Sequence, residues 1–357
     1  MIYVILALTT FFLLYRLRLV KELSLLFSSL LCATFIILLI IYSKDAISSC
    51  KLGISLWFNV VFPAVFPFLV ICECLSHTNI SVIIGKFFEG IMRPLFNVPG
   101  ASAPAFFLGT LSGYPIGATS TLKLYEQGLL TKTEAERLIT FTNNSGPLFV
   151  ISAVGLGFFG SKKIGLLLYA CHVLSAISVG IIFSFYKRNN TCQIKKTYLT
   201  SLCSSTKQTQ KSLTCIFTSS VVSAINTMIN IAGFIIFFSV IIKLLNKTSF
   251  LAFITNIFSP IIYWFGLEQG VVSSCISGLF EMTSGISLIA NLSNTSLLLK
   301  LLLTSFLLGF AGLSIHSQIF STLSKSDIRT LPFVIGKFLQ GILSILYLIL
   351  LNFYFIY

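Results

Sequence analysis

The sequence predicts an all-α, polytopic membrane protein built from two inverted repeats that contain broken helices or re-entrant hairpins. Three observations carry that expectation: long uncharged apolar runs, one basic stretch that divides the chain, and Gly, Pro and Ser clusters inside otherwise apolar segments. Of 357 residues, 56% are hydrophobic and 10% charged, and the mean hydropathy is +0.97. A soluble chain carries about 25% charged residues, so a soluble globular fold is excluded. Residues 23–43, 164–186 and 213–242 contain no Asp, Glu, Lys or Arg, and a bilayer crossing needs about 20 mainly apolar residues. These runs are continuous, not alternating, which selects helices over a β-barrel.

The formal charge of +14 sits between the apolar runs. Its densest stretch, residues 187–211, holds Lys187, Arg188, Lys195, Lys196, Lys207 and Lys211 without an acid. Loop Lys and Arg beside spans chiefly set orientation, so the expected partners are the lipid bilayer and a small anionic solute, with no nucleic acid. Placing 187–211 and the cluster Arg16, Arg18 and Lys21 in the cytoplasm puts the amino terminus outside. It also makes 23–43 an outward span and the surroundings of Lys44, Asp45 and Lys51 an external loop. The run 1–15 precedes its basic cluster and lacks a small-residue cleavage site, as a retained span would. The nine cysteines form no CxxC pair or zinc spacing and read as small core residues, not a disulfide frame.

Four parts follow: two amino-terminal helices (1–51), a first repeat (52–186), a basic cytoplasmic linker (187–221) and a second repeat (222–357). Repeats with an odd number of crossings run in opposite directions through the membrane, the arrangement of inverted-repeat transporters. Arg93-Pro94-Leu95-Phe96 followed by Gly100 recurs as Ser259-Pro260-Ile261-Ile262 followed by Gly266. Ser112 precedes Ser145 by the interval at which Glu281 precedes Ser314.

Each repeat carries interruptions. Residues 101–118 are apolar yet contain Pro104, Gly109, Gly113, Pro115 and Gly117, which a straight helix does not tolerate. A re-entrant hairpin or broken helix is expected, with Ser112, Gly113, Tyr114 and Pro115 at its tip. Thr142, Asn143, Asn144, Ser145, Gly146 and Pro147 open the apolar run 148–159, so a half-helix would begin inside the membrane with free amides, an arrangement that attracts anions. In the second repeat Glu281, Met282, Thr283, Ser284 and Gly285 form one interruption, and residues 309–318, with Ser314, His316 and Gln318, form the other.

An ionisable group within an apolar segment costs several kcal/mol unless paired, protonated or wet. Glu281 therefore reads as functional, with capping of a broken helix as the alternative. Glu73 stands equally for function or interfacial anchoring. His77 and His172 read as core or interface residues, and His316 as a hydrogen-bond donor or proton-sensitive group; no metal site is expected. Residues 80–96 read as an interfacial helix with Ser81, Gly85, Glu89 and Arg93 on one face and Glu89 spaced to pair with Arg93. Thr131 to Glu134 resembles a capping box, opening a helix with Glu134, Glu136 and Arg137 on its wetter side.

Met-Arg-Pro-Leu-Phe-Asn-Val-Pro-Gly at 92–100, Ser-Gly-Tyr-Pro-Ile-Gly-Ala at 112–118, Glu-Ala-Glu-Arg-Leu at 134–138 and Phe-Thr-Asn-Asn-Ser-Gly-Pro-Leu-Phe at 141–149 together resemble the YlbJ family, also called SpoVV. The resemblance continues through Gly-Leu-Phe-Glu-Met-Thr at 278–283 and Gly-Leu-Ser-Ile-His at 312–316. It implies an integral membrane protein of spore formation with a nucleoside-recognition Gate domain similar to that of concentrative nucleoside transporters. The implied substrate is dipicolinic acid and the implied location the mother-cell-derived outer forespore membrane.

A flat aromatic dianion suits half-helix amides, donors at Asn143, Asn144 and Ser145, and a ring at Tyr114 or Phe149. Beside it Glu281 would be protonated or face a coupling cation, H+ or Na+; no other cofactor is expected. A permease for a nucleoside or another small organic anion is the alternative, with Asn143, Asn144, Gln318 and Glu281 able to recognise ribose. An enzyme is not expected, because HExxH, GxSxG, CxxC and Walker-type runs are missing. The expected substrate contacts are Ser112, Gly113, Tyr114, Pro115, Asn143, Asn144, Ser145, Glu281, Thr283, Ser284, Ser314, His316 and Gln318.

Overall fold

A computed structural model of the protein describes residues 19–76, 80–188, 212–257, 269–324 and 326–355. Run 1–15 with Arg16 and Arg18, His77, the repeat element at Ser259 to Gly266 and the linker from 189 to 211 lie outside them. Helices account for the regular structure, with no strand among the described residues, as lipid demands of a chain that must satisfy its backbone internally. Five helical stretches among the described residues are long and apolar enough to cross a membrane: Ser43–Ile71, Lys162–Phe183, Thr214–Lys247, Leu297–Leu323 and Leu331–Leu351.

Helix α1 (Leu19–Ile41) is followed by α2 (Ser43–Leu56), which passes through a π-turn (Trp57–Val61) into α3 (Phe62–Ser76). The expectation of an external loop around Lys44, Asp45 and Lys51 is corrected here: these residues are helical, and position 51 lies inside α2. Asp45 pairs with Lys243 at 3.6 Å and Lys247 at 3.2 Å, on helix α9 (Leu213–Lys247). Gly53 lets α2 and α9 meet, since a Cβ there would sit 3.0 Å from the Ile236 Cα. Glu73 on α3 accepts the Ser223 hydroxyl of α9 at 2.6 Å.

The chain continues with α4 (Ile80–Phe96), α5 (Ala103–Ser112), α6 (Ile116–Glu126), α7 (Lys132–Thr142), a π-wound helix (Phe149–Phe158) and α8 (Lys162–Phe183). Thr131 and Glu134 form the expected capping box, and Arg93 lies 3.7 Å from Glu89. The expected wetter side of α7 is corrected: Glu134, Glu136 and Arg137 are fully buried. Glu134 pairs with Arg93 at 2.8 Å, and Glu136 with Lys187 at 3.0 Å and the Tyr186 hydroxyl at 3.1 Å. The Arg137 guanidinium donates to the carbonyls of Asn97, Tyr186 and Lys187. Buried charge is tolerated only when partnered in this way, and these partners lie at the chain's entry to α5 and exit from α8.

After α9 come α10 (Phe250–Ile257), α11 (Gln269–Phe280), α12 (Met282–Ala290), α13 (Leu297–Phe310), α14 (Gly312–Leu323) and α15 (Leu331–Phe355). Helices α11 and α12 meet at Glu281, and α13 and α14 at Ala311, where the backbone turns through φ of +76° and then +74° at Gly312. The α5–α6 pair turns at Gly113, φ +87°, a conformation glycine adopts without penalty. Gly109 and Gly117 let both arms of this pair pack on the end of α7, because a Cβ at either would strike the Thr142 carbonyl. Helix α15 packs against α7, α8 and α13.

Candidate functional site

The breaks converge. One cavity with about 60 Å³ of water-accessible space is lined by Ser112, Gly113 and Tyr114 from the α5–α6 turn, and by Ser145, Gly146 and Phe149 from the start of the π-wound helix. Glu281, Met282 and Thr283 line it from the α11–α12 junction, and Ser314, Ile315 and Gln318 from α14. Val61 and Val65 of the π-turn and α3, with Ile231 and Ile235 of α9, complete an aliphatic wall. Apolar walls with a few convergent polar groups are the usual make-up of a small-molecule site.

Of the residues expected to contact substrate, Ser112, Gly113, Tyr114, Ser145, Glu281, Thr283, Ser314 and Gln318 line this cavity. The hydroxyls of Ser112 and Ser314 are buried and make no hydrogen bond among the described residues. Buried hydroxyls are normally satisfied, so these two stand ready for a solute or water.

Glu281 carries the N-cap of α12: one carboxylate oxygen accepts the Thr283 amide at 3.0 Å and the other the Ser284 amide at 2.6 Å. The protein's own carboxylate thus fills the amide cradle of α12. At the other half-helix start, residues 145–149, no carboxylate among the described residues accepts a backbone amide, and the Ser145 amide is taken by His172 Nε2 at 3.0 Å.

Pro115, Asn143, Asn144, Ser284 and His316 do not line the cavity. Asn143 is fully buried; its Oδ1 accepts the Ala118 amide at 2.8 Å, so it caps α6 from the end of α7, and its Nδ2 donates to the Ile139 carbonyl. Asn144 Nδ2 donates to the Phe141 carbonyl at 2.8 Å. Both asparagines hold the break in shape. His316 Nδ1–H donates to the Gly312 carbonyl at 2.7 Å, and the ring sits among Phe310, Phe320 and Phe333.

Sequence reasoning missed Lys337 and Gln340 on α15, both fully buried. The Lys337 ammonium donates to the Asn143 carbonyl at 2.7 Å and to Gln340 Oε1 at 2.6 Å. Gln340 Nε2 donates in turn to Asn144 Oδ1 at 2.9 Å and the His172 carbonyl at 3.3 Å. His172 Nε2 accepts the Ser145 amide at 3.0 Å. One polar chain therefore joins α15, α8 and the α7 break beneath the cavity. A lysine alone in an apolar span was the available signal.

Fold and site together define a transporter-like integral membrane protein. A family model described as Gate, nucleoside recognition, matches residues 58–162 and 228–326. The sporulation integral membrane protein YlbJ of Bacillus subtilis (strain 168) is 33% identical over 338 residues, which span 91% of this chain and 83% of that protein. The chain belongs to the Gate nucleoside-recognition family and, within it, to the YlbJ family. An uncharacterized protein of Alkalihalophilus pseudofirmus is 30% identical over 108 residues, 30% of this chain and 23% of that protein.

Among solved structures, CNTnw in an inward-facing substrate-bound state superposes with a TM-score of 0.56 at 13% identity, covering 87% of this chain and 83% of that one. A CNTnw variant in an outward-facing state gives 0.53 at 12% identity, covering 85% and 83%. The shared property at that identity is the fold.

Proposed function

We propose that the protein is a secondary transporter that moves dipicolinate across the outer forespore membrane during spore formation. The observation that carries this reading is the cavity built from helix breaks of both halves of the chain, with the serine hydroxyls of Ser112 and Ser314 unpartnered in its wall among the described residues. The amides that open the π-wound helix offer an anion partial positive charge, and Tyr114 and Phe149 offer ring faces to a flat heterocycle. The name of the Bacillus relative supports the sporulation setting.

In this reading 52–186 and 222–357 are inverted repeats, preceded by the helices of 1–51 and joined by the 187–221 linker, and one rocks against the other to expose the cavity alternately. The two stretches matched by the Gate model support it. So does the contact pattern: α12 of the second half touches the π-wound helix of the first, and α14 of the second touches α6 of the first. Glu281 stands beside the substrate with its charge engaged by the amides of α12, which lessens its repulsion of an anion. Coupling to H+ or Na+ would drive accumulation, and no other cofactor is called for.

Nucleoside transport is the second reading, favoured by the Gate description and by Gln318 and Glu281 in the cavity wall. Purified protein in liposomes, offered labelled dipicolinate or uridine with and without H+ and Na+ gradients, separates the two. Saturable dipicolinate uptake with uridine at background is the expected result. Uridine uptake alone selects the nucleoside reading, and neither solute entering liposomes that contain folded protein sinks both.

A further inference from the structure

Lys337 is a buried charged group that the proposed mechanism leaves unused. It is fully buried in the span Leu331–Leu351, and no carboxylate pairs with it among the described residues. A buried ammonium without an acid partner is expensive in lipid, so its placement needs a reason beyond packing. Its neighbours are the Asn143 carbonyl, Gln340 Oε1 and the face of Tyr114, whose ring centre lies 5.4 Å from Nζ. The imidazoles within its electrostatic reach are those of His172 and His316.

Two facts define what the ammonium does. Asn143 is the residue at which α7 stops, and carbonyls exposed where a membrane helix unwinds are the usual ligands of a mobile coupling cation. Here the covalently tethered cation of α15 bonds that carbonyl instead. Tyr114, the residue over which the ammonium sits, is itself part of the cavity wall. A positive charge beside a ring that faces the solute favours a negatively charged solute over a neutral one of the same shape.

We propose that Lys337 is the resident cation of the broken-helix site, taking the carbonyl position of a mobile alkali cation and giving the cavity its preference for anions. Lys337 is a positioning residue acting through Tyr114 and Asn143, and the inference rests on the small-anion carrier reading above. Of the two coupling ions of that reading it leaves H+, and it predicts that anion binding needs no alkali cation and that removing the ammonium both costs anion selectivity and opens the carbonyl site to one.

The test uses full-length purified protein and two probes of equal shape, dipicolinate and its neutral diamide, in sodium, potassium and choline buffers. For the unaltered protein, dipicolinate binding should exceed diamide binding and be the same in all three buffers; a requirement for sodium overturns the inference without any variant being made. In Lys337→Gln the preference for dipicolinate over the diamide should fall by about tenfold or more, the scale of one buried charge contact, and the remaining binding should rise with sodium. Lys337→Arg should keep the preference, which a purely structural role would not distinguish from Gln. Unchanged selectivity in a folded Lys337→Gln protein overturns the lysine's role and leaves the carrier reading standing. If the unaltered protein binds neither probe, the anion reading itself has failed.

Discussion

The Glu281 carboxylate accepts the Ser284 amide at 2.6 Å and is at the same time part of the wall of the central cavity. Cap and site share one side chain, and its variants separate the two duties. Glu281→Ala removes both acceptors from the start of α12 and should lower stability by about 1–2 kcal/mol, the usual cost of losing an N-cap. Glu281→Gln retains one acceptor and should lose roughly half as much. If the carboxylate also meets solute or a coupling ion, uptake per folded molecule falls in Glu281→Gln well beyond that small loss. Thermal unfolding in detergent with uptake normalised to folded protein measures both. Normal uptake in Glu281→Gln would reduce the residue to a cap.

Asn144 and Gln340 are joined at 2.9 Å across 196 positions of sequence, and neither lines the cavity. Truncating Gln340 leaves Asn144 Oδ1 without this donor, and truncating Asn144 leaves Gln340 Nε2 with the His172 carbonyl alone, so Asn144→Ala and Gln340→Ala should each destabilise the protein by roughly 1–3 kcal/mol. The double variant should cost less than their sum, with a coupling of about 1 kcal/mol. A denaturation cycle over the four proteins checks this. Additive losses would show that the two residues act independently.

These residues also mark how far the sequence could be read. The four breaks were legible because Gly, Pro, Ser and a lone Glu interrupt apolar runs, and backbone rules forbid a straight helix through them. Which asparagine atoms turn inward was not legible, since Asn143 and Asn144 look like solute donors until the Ala118 amide and Gln340 claim them. The charges of α7 have the spacing of a wet helix face, and their burial depends on Arg93, Tyr186 and Lys187, some 41 to 51 positions away. The Lys44–Lys51 segment misled for the same reason: the lysines that hold Asp45 stand on α9. Local pattern fixes where a helix must stop, whereas long-range pairing decides which polar groups are spent on structure.

Tyr125 and Lys132 of the first half both bind Asp327 of the second, at 2.7 and 2.9 Å. These bonds, the tyrosine hydroxyl first and the ammonium next, hold the Asp327 carboxyl below its ordinary value, and the same bond to Asp327 pushes the Tyr125 hydroxyl up. A depressed carboxyl contributes stability above its unfolded pKa of about 3.9 and loses it as pH falls through the lower folded value. A raised tyrosine contributes below its unfolded pKa of about 10 and loses it as pH rises through the higher folded value. The contact should therefore be fully present between about pH 4 and 10. Asp327→Asn should move one tyrosine to lower pH in an ultraviolet titration of the folded protein. An unmoved titration would show that the contact does not form in solution.

Ser112 and Ser314 supply the sharpest separation of function from stability. Their hydroxyls are buried without partners among the described residues, so alanine at either position removes an unsatisfied group and should leave the melting temperature unchanged or slightly raised. A residue kept only for packing would then be silent on replacement. If the hydroxyls instead donate to a bound solute, Ser112→Ala and Ser314→Ala should each weaken solute binding by about 0.5–1.5 kcal/mol, and by up to about 3 kcal/mol where the acceptor is a carboxylate. Binding isotherms and unfolding curves on the same preparations decide between these outcomes. Stable variants that bind dipicolinate as tightly as the unaltered protein would show that the solute does not reach the serines of the α5–α6 turn and α14.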